Sequence, residues 1–192
     1  MAGHDATVPG TTVLTRRPGW WEALVGPGAG PVESAGTVAS AVAGAVLAPA
    51  LARRPVGHAA RLVLRVLAAD LWGGAWCLNT PAGARWYGRP ERGGRERSAF
   101  AAAHVHPFVV AALDPRPRFD RALAQYAYVL VATAVLGRVG HRRAAAVLAT
   151  LGGLALDRWW RVSDVAPWSG PVIAVKLLAG HAGGGVLVRP VR

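Results

Sequence analysis

In the apolar stretch SAFAAAHVHPFVVAAL, residues 98–113, two histidines stand one residue apart with a proline directly behind them. An imidazole gains or loses its proton near neutral pH and is a common metal ligand, so His104 and His106 are candidates for proton transfer or for holding a metal or a haem. On a regular helix, residues two apart point about 200° from one another and cannot serve one site. Pro107 changes this, because it has no N–H for the carbonyl four residues back and disfavours helical geometry at the residue before it. A helix broken there, with residues 103–106 locally extended and Pro107 opening a new helix, lets both rings face one cavity and frees the Ala103 carbonyl.

Asp70 is the second chemical candidate. On a helix Asp70, Gly74 and Cys77 share a stripe with Gly73 beside it, so the carboxylate projects from a face whose next turn is bare backbone. Such a face admits a helix or a ligand. A carboxylate in apolar surroundings has a raised pKa, which suits a general acid or a proton carrier. Lys176, the one lysine of the chain, or a nearby arginine is the natural partner for Asp70. The expected catalytic set is therefore Asp70, His104 and His106, with Trp72, Trp76, Asn79 and Tyr126 as the walls of a pocket for a lipophilic molecule. Cys77 is the only cysteine, which excludes an internal disulfide and a CxxC zinc site. No GxSxG, HExxH, SxxK or phosphate-loop pattern occurs, so the familiar hydrolase, zinc-protease and nucleotide routes have no support. No cofactor is required by the sequence.

These residues need elements to hold them. The 192-residue chain is 53% hydrophobic and 17% charged, with a mean hydropathy of +0.29, whereas an average domain is about 25% charged. Its net charge of +12 is spread through short arginine clusters between apolar runs rather than gathered on one face, which argues against nucleic acid as a partner. The near absence of lysine beside abundant Arg, Ala, Gly and Pro is the codon signature of a GC-rich bacterial genome. Residues 1–30, rich in Gly and Pro with Trp20 and Trp21, read as a flexible or interfacial N-terminus and carry no ordinary secretory signal. Six apolar segments follow, at 34–52, 58–78, 98–113, 121–139, 144–156 and 167–188. In the first, Gly36, Ser40 and Gly44 recur every four residues, a spacing that lets helices approach closely. Asn79-Thr80-Pro81 marks a helix stop and a fresh start, with Thr80 as cap and Pro81 in the first turn.

Arginine punctuation between apolar runs points to an all-α fold, a multi-pass integral membrane bundle of four to six hydrophobic helices over residues 31–192, in a bacterial cell membrane with the lipid bilayer as partner. Ionisable groups at membrane depth are functional by default. On that footing the leading expectation is a membrane-embedded enzyme acting on a lipophilic substrate by general acid/base proton transfer, isomerase- or cyclase-like. Two alternatives use the same features. One is a small membrane transporter or a metal- or proton-handling subunit; the other is a non-catalytic membrane partner that docks through Gly36, Ser40 and Gly44.

Overall fold

The computed structural model describes residues 17–89 and 91–188. Its elements in chain order are helices α1 (Trp20–Val25), α2 (Pro31–Leu47), α3 (His58–Cys77), α4 (Pro81–Gly88), α5 (Gly94–Ala102), α6 (His106–Ala112), α7 (Phe119–Leu136), α8 (Arg142–Trp159) and α9 (Ser169–Ile173), the last continuing into a π-helix, π1 (Ala174–Ala182). No strand occurs among the described residues. The all-helical expectation therefore stands, but its membrane half does not: among the described residues no helix is long and apolar enough to cross a membrane.

The reason lies in length and charge. A spanning helix needs about 20 mainly apolar residues to cover roughly 30 Å. Helix α2 is apolar but has only 17 residues. Helix α3 reaches 20 residues but carries Arg61, Arg65 and Asp70, while the 18 residues of α8 include Arg142, Arg143, Asp157 and Arg158. The 98–113 segment splits into α5 and α6, and the 167–188 segment changes its helical winding part-way along. The multi-pass bundle, the cell-membrane location, the lipid bilayer as partner and the membrane-embedded site are all overturned by this finding. The transporter and membrane-partner alternatives lose their footing with it.

Local sequence explains where the helices start. Gly30 precedes Pro31 in α2, and Glu33 reaches back so that its Oε2 accepts the Gly30 N–H at 2.7 Å. This satisfies one of the donors a helix start leaves unpaired. The other oxygen, Oε1, accepts the Ala82 N–H at 2.8 Å and ties α2 to the start of α4. Thr80 caps α4, its Oγ1 accepting from Gly83 N–H at 3.1 Å, with Pro81 as the first helical residue.

Helices α2 and α3 form an antiparallel pair in very close contact. A Cβ added at Gly36 would fall 2.3 Å from the Trp76 ring, and one at Gly44 would fall 2.7 Å from the Ala68 carbonyl oxygen. The small-residue stripe is thus spent on a partner within the chain, which removes it as the docking face for another protein. Around this pair the remaining helices enclose the α9–π1 rod, which touches α3, α4, α5, α7 and α8. Leu64, Leu71, Val110, Ile173, Leu177 and Leu178 fill the shared core and are essentially inaccessible. Buried apolar surface of this kind contributes about 25 cal/mol per Å² and is the main force holding so many short helices together.

The π-helix has a direct consequence for position. Two residues five apart lie about 140° from one another around an α-helix, but i→i+5 hydrogen bonding brings them to the same side. Lys176 and His181 are five apart on π1. The wide winding continues past the end of π1, where Gly183 N–H donates to Leu178 O at 2.8 Å and Gly185 N–H to Gly180 O at 2.9 Å. Two arginines of α8 close the terminus. Arg142 Nε donates to the Ala182 carbonyl, and Arg143 donates to the carbonyls of Gly185 and Val186, placing positive charge where the helix end is negative.

Candidate functional site

Lys176 runs from π1 across the face of α3 where Gly74 leaves the backbone bare. A Cβ at Gly74 would lie 2.4 Å from Lys176 Cε, so only glycine leaves room for the lysine tail. The ammonium ends 2.6 Å from Asp70 Oδ2 and 3.3 Å from the Asp70 backbone carbonyl. His106 approaches the same oxygen from α6, its Nε2 3.1 Å from Oδ2. One carboxylate oxygen therefore receives two donors from two elements distant in sequence. The lysine side chain is only 4% exposed, against 53% for Asp70 and 16% for His106. The network has its ammonium inside and its carboxylate at the rim.

This arrangement corrects the expected protonation of Asp70. Burial by itself raises its pKa, but the hydrogen bond from His106 and the charge and hydrogen bond of Lys176 outweigh it and hold the carboxyl well below the usual carboxylate range. Asp70 rests as a carboxylate and so enters any reaction as a proton acceptor first. Burial also lowers the Lys176 ammonium below its ordinary value, with Asp70 opposing the shift. Less of the free energy that normally keeps the lysine protonated remains available to it.

The break before Pro107 is present in a tighter form than an extended segment. Val105 has φ −73° and ψ 11°, and the Ala103 carbonyl is not freed, because it accepts the Val105 N–H at 3.0 Å. This turn is enough to bring the two imidazoles onto one side, their ring centroids 5.3 Å apart and inclined by 28°. His104 Nδ1 is 2.7 Å from the Phe100 carbonyl. A carbonyl can only accept, so Nδ1 carries the hydrogen and Nε2 is left as the acceptor. Burial, reinforced by the Lys176 charge, pushes His104 down to about 4, so it is neutral at pH 7.

His181 lay outside the expected catalytic set, and π1 brings it to this group. Its ring stacks on Phe100 at 4.1 Å, and Phe100 lies 4.7 Å from the His104 ring. The rings of His106, His104, Phe100 and His181 thus follow one another through the interior. Burial pushes His181 down to about 4, against a smaller opposing effect of the Arg97 backbone, and neither ring nitrogen makes a hydrogen bond of good geometry. The spacing of five from Lys176 was visible in the sequence; the change of winding that gives it meaning was not.

A cavity of about 390 Å³ opens onto this network between α1, α2, α3 and α5. Asp70, Lys176, His104, Phe100, Tyr87 and Cys77 are among its lining residues, with Trp21 and Leu24 of α1 and Val38 and Val42 of α2 forming apolar walls. Two polar groups of the lining, Tyr87 of α4 and Cys77 of α3, are committed elsewhere. Tyr87 Oη donates to the Leu24 carbonyl at 2.9 Å, and the Cys77 thiol donates to the same carbonyl at 3.4 Å. Burial pushes that thiol up to about 11, which leaves it protonated and a poor nucleophile.

The aromatic residues expected around the catalytic set lie elsewhere. Trp72, Trp76 and Asn79 line a second, larger cavity of about 670 Å³ together with Glu33, Val172, Val175 and Leu187. Tyr126 lines neither cavity; its hydroxyl donates to the Ala102 carbonyl at 2.7 Å and its ring packs edge-on to Phe108. On α3, residues 70, 73, 74 and 77 face the first cavity and 72, 75 and 76 the second, as one helix with two lined sides must arrange them. Among the described residues no three His, Cys, Asp or Glu side chains converge in a metal-binding arrangement. Compared with known proteins, the chain matches no protein family, no curated protein and no solved structure.

Proposed function

We propose that the cavity beside α3 binds a small, largely apolar molecule carrying one oxygen function, and that the Lys176–Asp70–His106 network meets that function and moves a proton on it. The observation that carries this reading is an interior lysine, 4% exposed and 2.6 Å from a carboxylate that also holds a histidine, at the wall of an otherwise apolar cavity. Burying that ammonium costs several kcal/mol that an apolar pair of equal volume would not, and here a cavity reaches it. Perturbed ionisable groups beside a cleft are the usual mark of a functional site.

The division of labour follows from geometry. The walls from α1 and α2 select an apolar body. Lys176 is the donor toward a ligand oxygen, Asp70 Oδ2 is the acceptor that can take or return a proton, and His106 holds the carboxylate and shares its charge. His104 offers Nε2 as a second, uncharged acceptor. Nothing in this scheme needs a bilayer.

The test is equilibrium binding of 2-naphthol, whose fluorescence distinguishes its neutral from its ionised form. Val38 is 49% exposed and lines this cavity, whereas Val32 is 77% exposed and lines the larger one, so Val38→Trp and Val32→Trp fill one cavity each from the outside. Saturable binding that Val38→Trp abolishes and Val32→Trp spares is the expected result. Binding that is absent, or that ignores Val38→Trp, would show that the cavity is not a ligand site.

A further inference from the structure

We infer that Lys176 is a covalent residue: its amine condenses reversibly with an aldehyde or ketone held in the cavity beside α3, forming an imine. This rests on the ligand-binding reading above and names the oxygen function as a carbonyl.

Four observations converge on it. The amine is interior yet belongs to the lining of the cavity. Its tail lies over Gly74, where an added Cβ would collide with Cε and Nζ, so the bare turn of α3 is what lets the amine reach this wall. Asp70 Oδ2 is in contact at 2.6 Å, where a proton acceptor must be to release the nucleophilic lone pair and where a counter-ion must be once an iminium forms. The competing nucleophile on the same wall, Cys77, is held as a thiol by its bond to the Leu24 carbonyl and by burial. Burial of the lysine works in the same direction, since it lowers the cost of losing the proton.

The step balances without any further reactant. The Lys176 ammonium gives one proton to Asp70 Oδ2, and the nitrogen lone pair attacks the carbonyl carbon. The carbon–oxygen π pair moves to oxygen, which takes a proton from nitrogen to give the carbinolamine. Asp70 then returns its proton to that hydroxyl, the carbon–oxygen bond breaks, and water leaves as nitrogen forms the double bond to carbon. The sum is an ammonium and a carbonyl compound giving a protonated imine and one water, with Asp70 again a carboxylate and now the counter-ion. His106 remains on Oδ2 throughout and limits how basic that oxygen becomes.

The composition makes the experiment clean, because Lys176 is the only lysine among 192 residues. The full chain is incubated at neutral pH with 2-naphthaldehyde and sodium cyanoborohydride, which converts the imine into a stable secondary amine, and the adduct is located by peptide mass mapping. The expected outcome is a single adduct on Lys176, formed faster than that on the N-terminal amine. In Val38→Trp it should form about a hundredfold more slowly, as expected when placement against the amine is lost. Binding of 2-naphthol is measured on the same samples. A protein that binds 2-naphthol but stays unmodified at Lys176 overturns the imine and leaves the cavity reading standing. A protein that does neither overturns both. Labelling of Lys176 that is as fast in Val38→Trp as in the wild type would also overturn the proposal, since the amine would then be reached by another route.

Discussion

Removing the two ends of the Lys176–Asp70 pair should have very unequal effects on stability, and the inequality follows from burial. Asp70→Asn keeps the shape and an oxygen acceptor but leaves an ammonium that is 4% exposed without its counter-charge. Breaking a fully buried pair costs about 3–5 kcal/mol. Because the Asp70 side chain is 53% exposed, water near the rim takes over part of its role, and the expected cost falls to about 2–3 kcal/mol. Lys176→Met removes the buried charge and keeps a flexible apolar chain over Gly74, leaving Asp70 with His106 and solvent. Its cost should lie within about 1 kcal/mol of zero. Urea unfolding followed by tryptophan fluorescence measures both, provided the slope m is shared so that midpoints can be compared. The Asp70→Asn variant carries a second signature. Its lysine escapes by giving up the proton in the folded state, so the folded pKa lies below the unfolded value of about 10.4. The unfolded state then binds more protons between those two values, and stability must rise with pH across that window. A Lys176→Met variant less stable than Asp70→Asn would refute the reasoning, as would an Asp70→Asn variant indistinguishable from wild type.

Acid titration should reveal opposed contributions from three interior groups. His104 and His181 sit at about 4 in the fold, so between there and their ordinary value of about 6.5 the unfolded chain binds more protons and stability falls as pH falls. Asp157, buried and pushed up to about 6 with Arg161 and Arg53 opposing, binds its proton in the fold first and acts in the other direction. Near pH 5 these three give a net uptake of about one proton on unfolding, or roughly 1.4 kcal/mol per pH unit; a flat stability profile between pH 4.5 and 5.5 would contradict it. Gly170→Ala should be severely destabilising, by about 3 kcal/mol or more, since its Cβ would fall 2.1 Å from Asp157 Oδ1 and 2.6 Å from Gln125 Nε2, both interior. Gly36→Ala meets instead the Trp76 ring, which is 45% exposed and can turn outward, so its cost in the same urea assay should be smaller by at least about 1 kcal/mol. Gly74→Ala should displace the lysine tail and slow reductive labelling of Lys176 by about tenfold or more while the far urea baseline is unchanged.

Much of the candidate site was legible in residue types and local rules. Pro107 announced a break that turns His104 and His106 to one side, and the bare turn after Asp70 announced that something would lie there. Lys176, as the one lysine of the chain, was the natural partner. The protonation of Asp70 was read with the wrong sign, because burial was visible in the sequence and the two donors converging on Oδ2 were not. The alignment of His181 with Lys176 was out of reach because it depends on i→i+5 winding, which no local pattern encodes. Tyr126, Trp72 and Trp76 were read as one aromatic pocket because aromatic content carries no direction. The membrane reading failed for a related reason. Apolar runs rich in Ala and Gly suit short helices in close contact as well as spans, as Gly36 against Trp76 and Gly44 against Ala68 show. The hydropathy also has a surface share: Val42, Val131, Leu148 and Leu151 are all more than half exposed on α2, α7 and α8.

The most direct test of the central claim, an interior amine held against Asp70, is the pH titration of Lys176 itself. Labelling with [¹⁵N,¹³C]lysine gives one side-chain signal set, and the shifts of Nζ and Cε report its protonation without assignment. The expected midpoint lies below the ordinary lysine value of about 10.4 and moves further down in Asp70→Asn as the counter-charge is removed. An unperturbed midpoint in the wild type, or one that stays in place in Asp70→Asn, would contradict it.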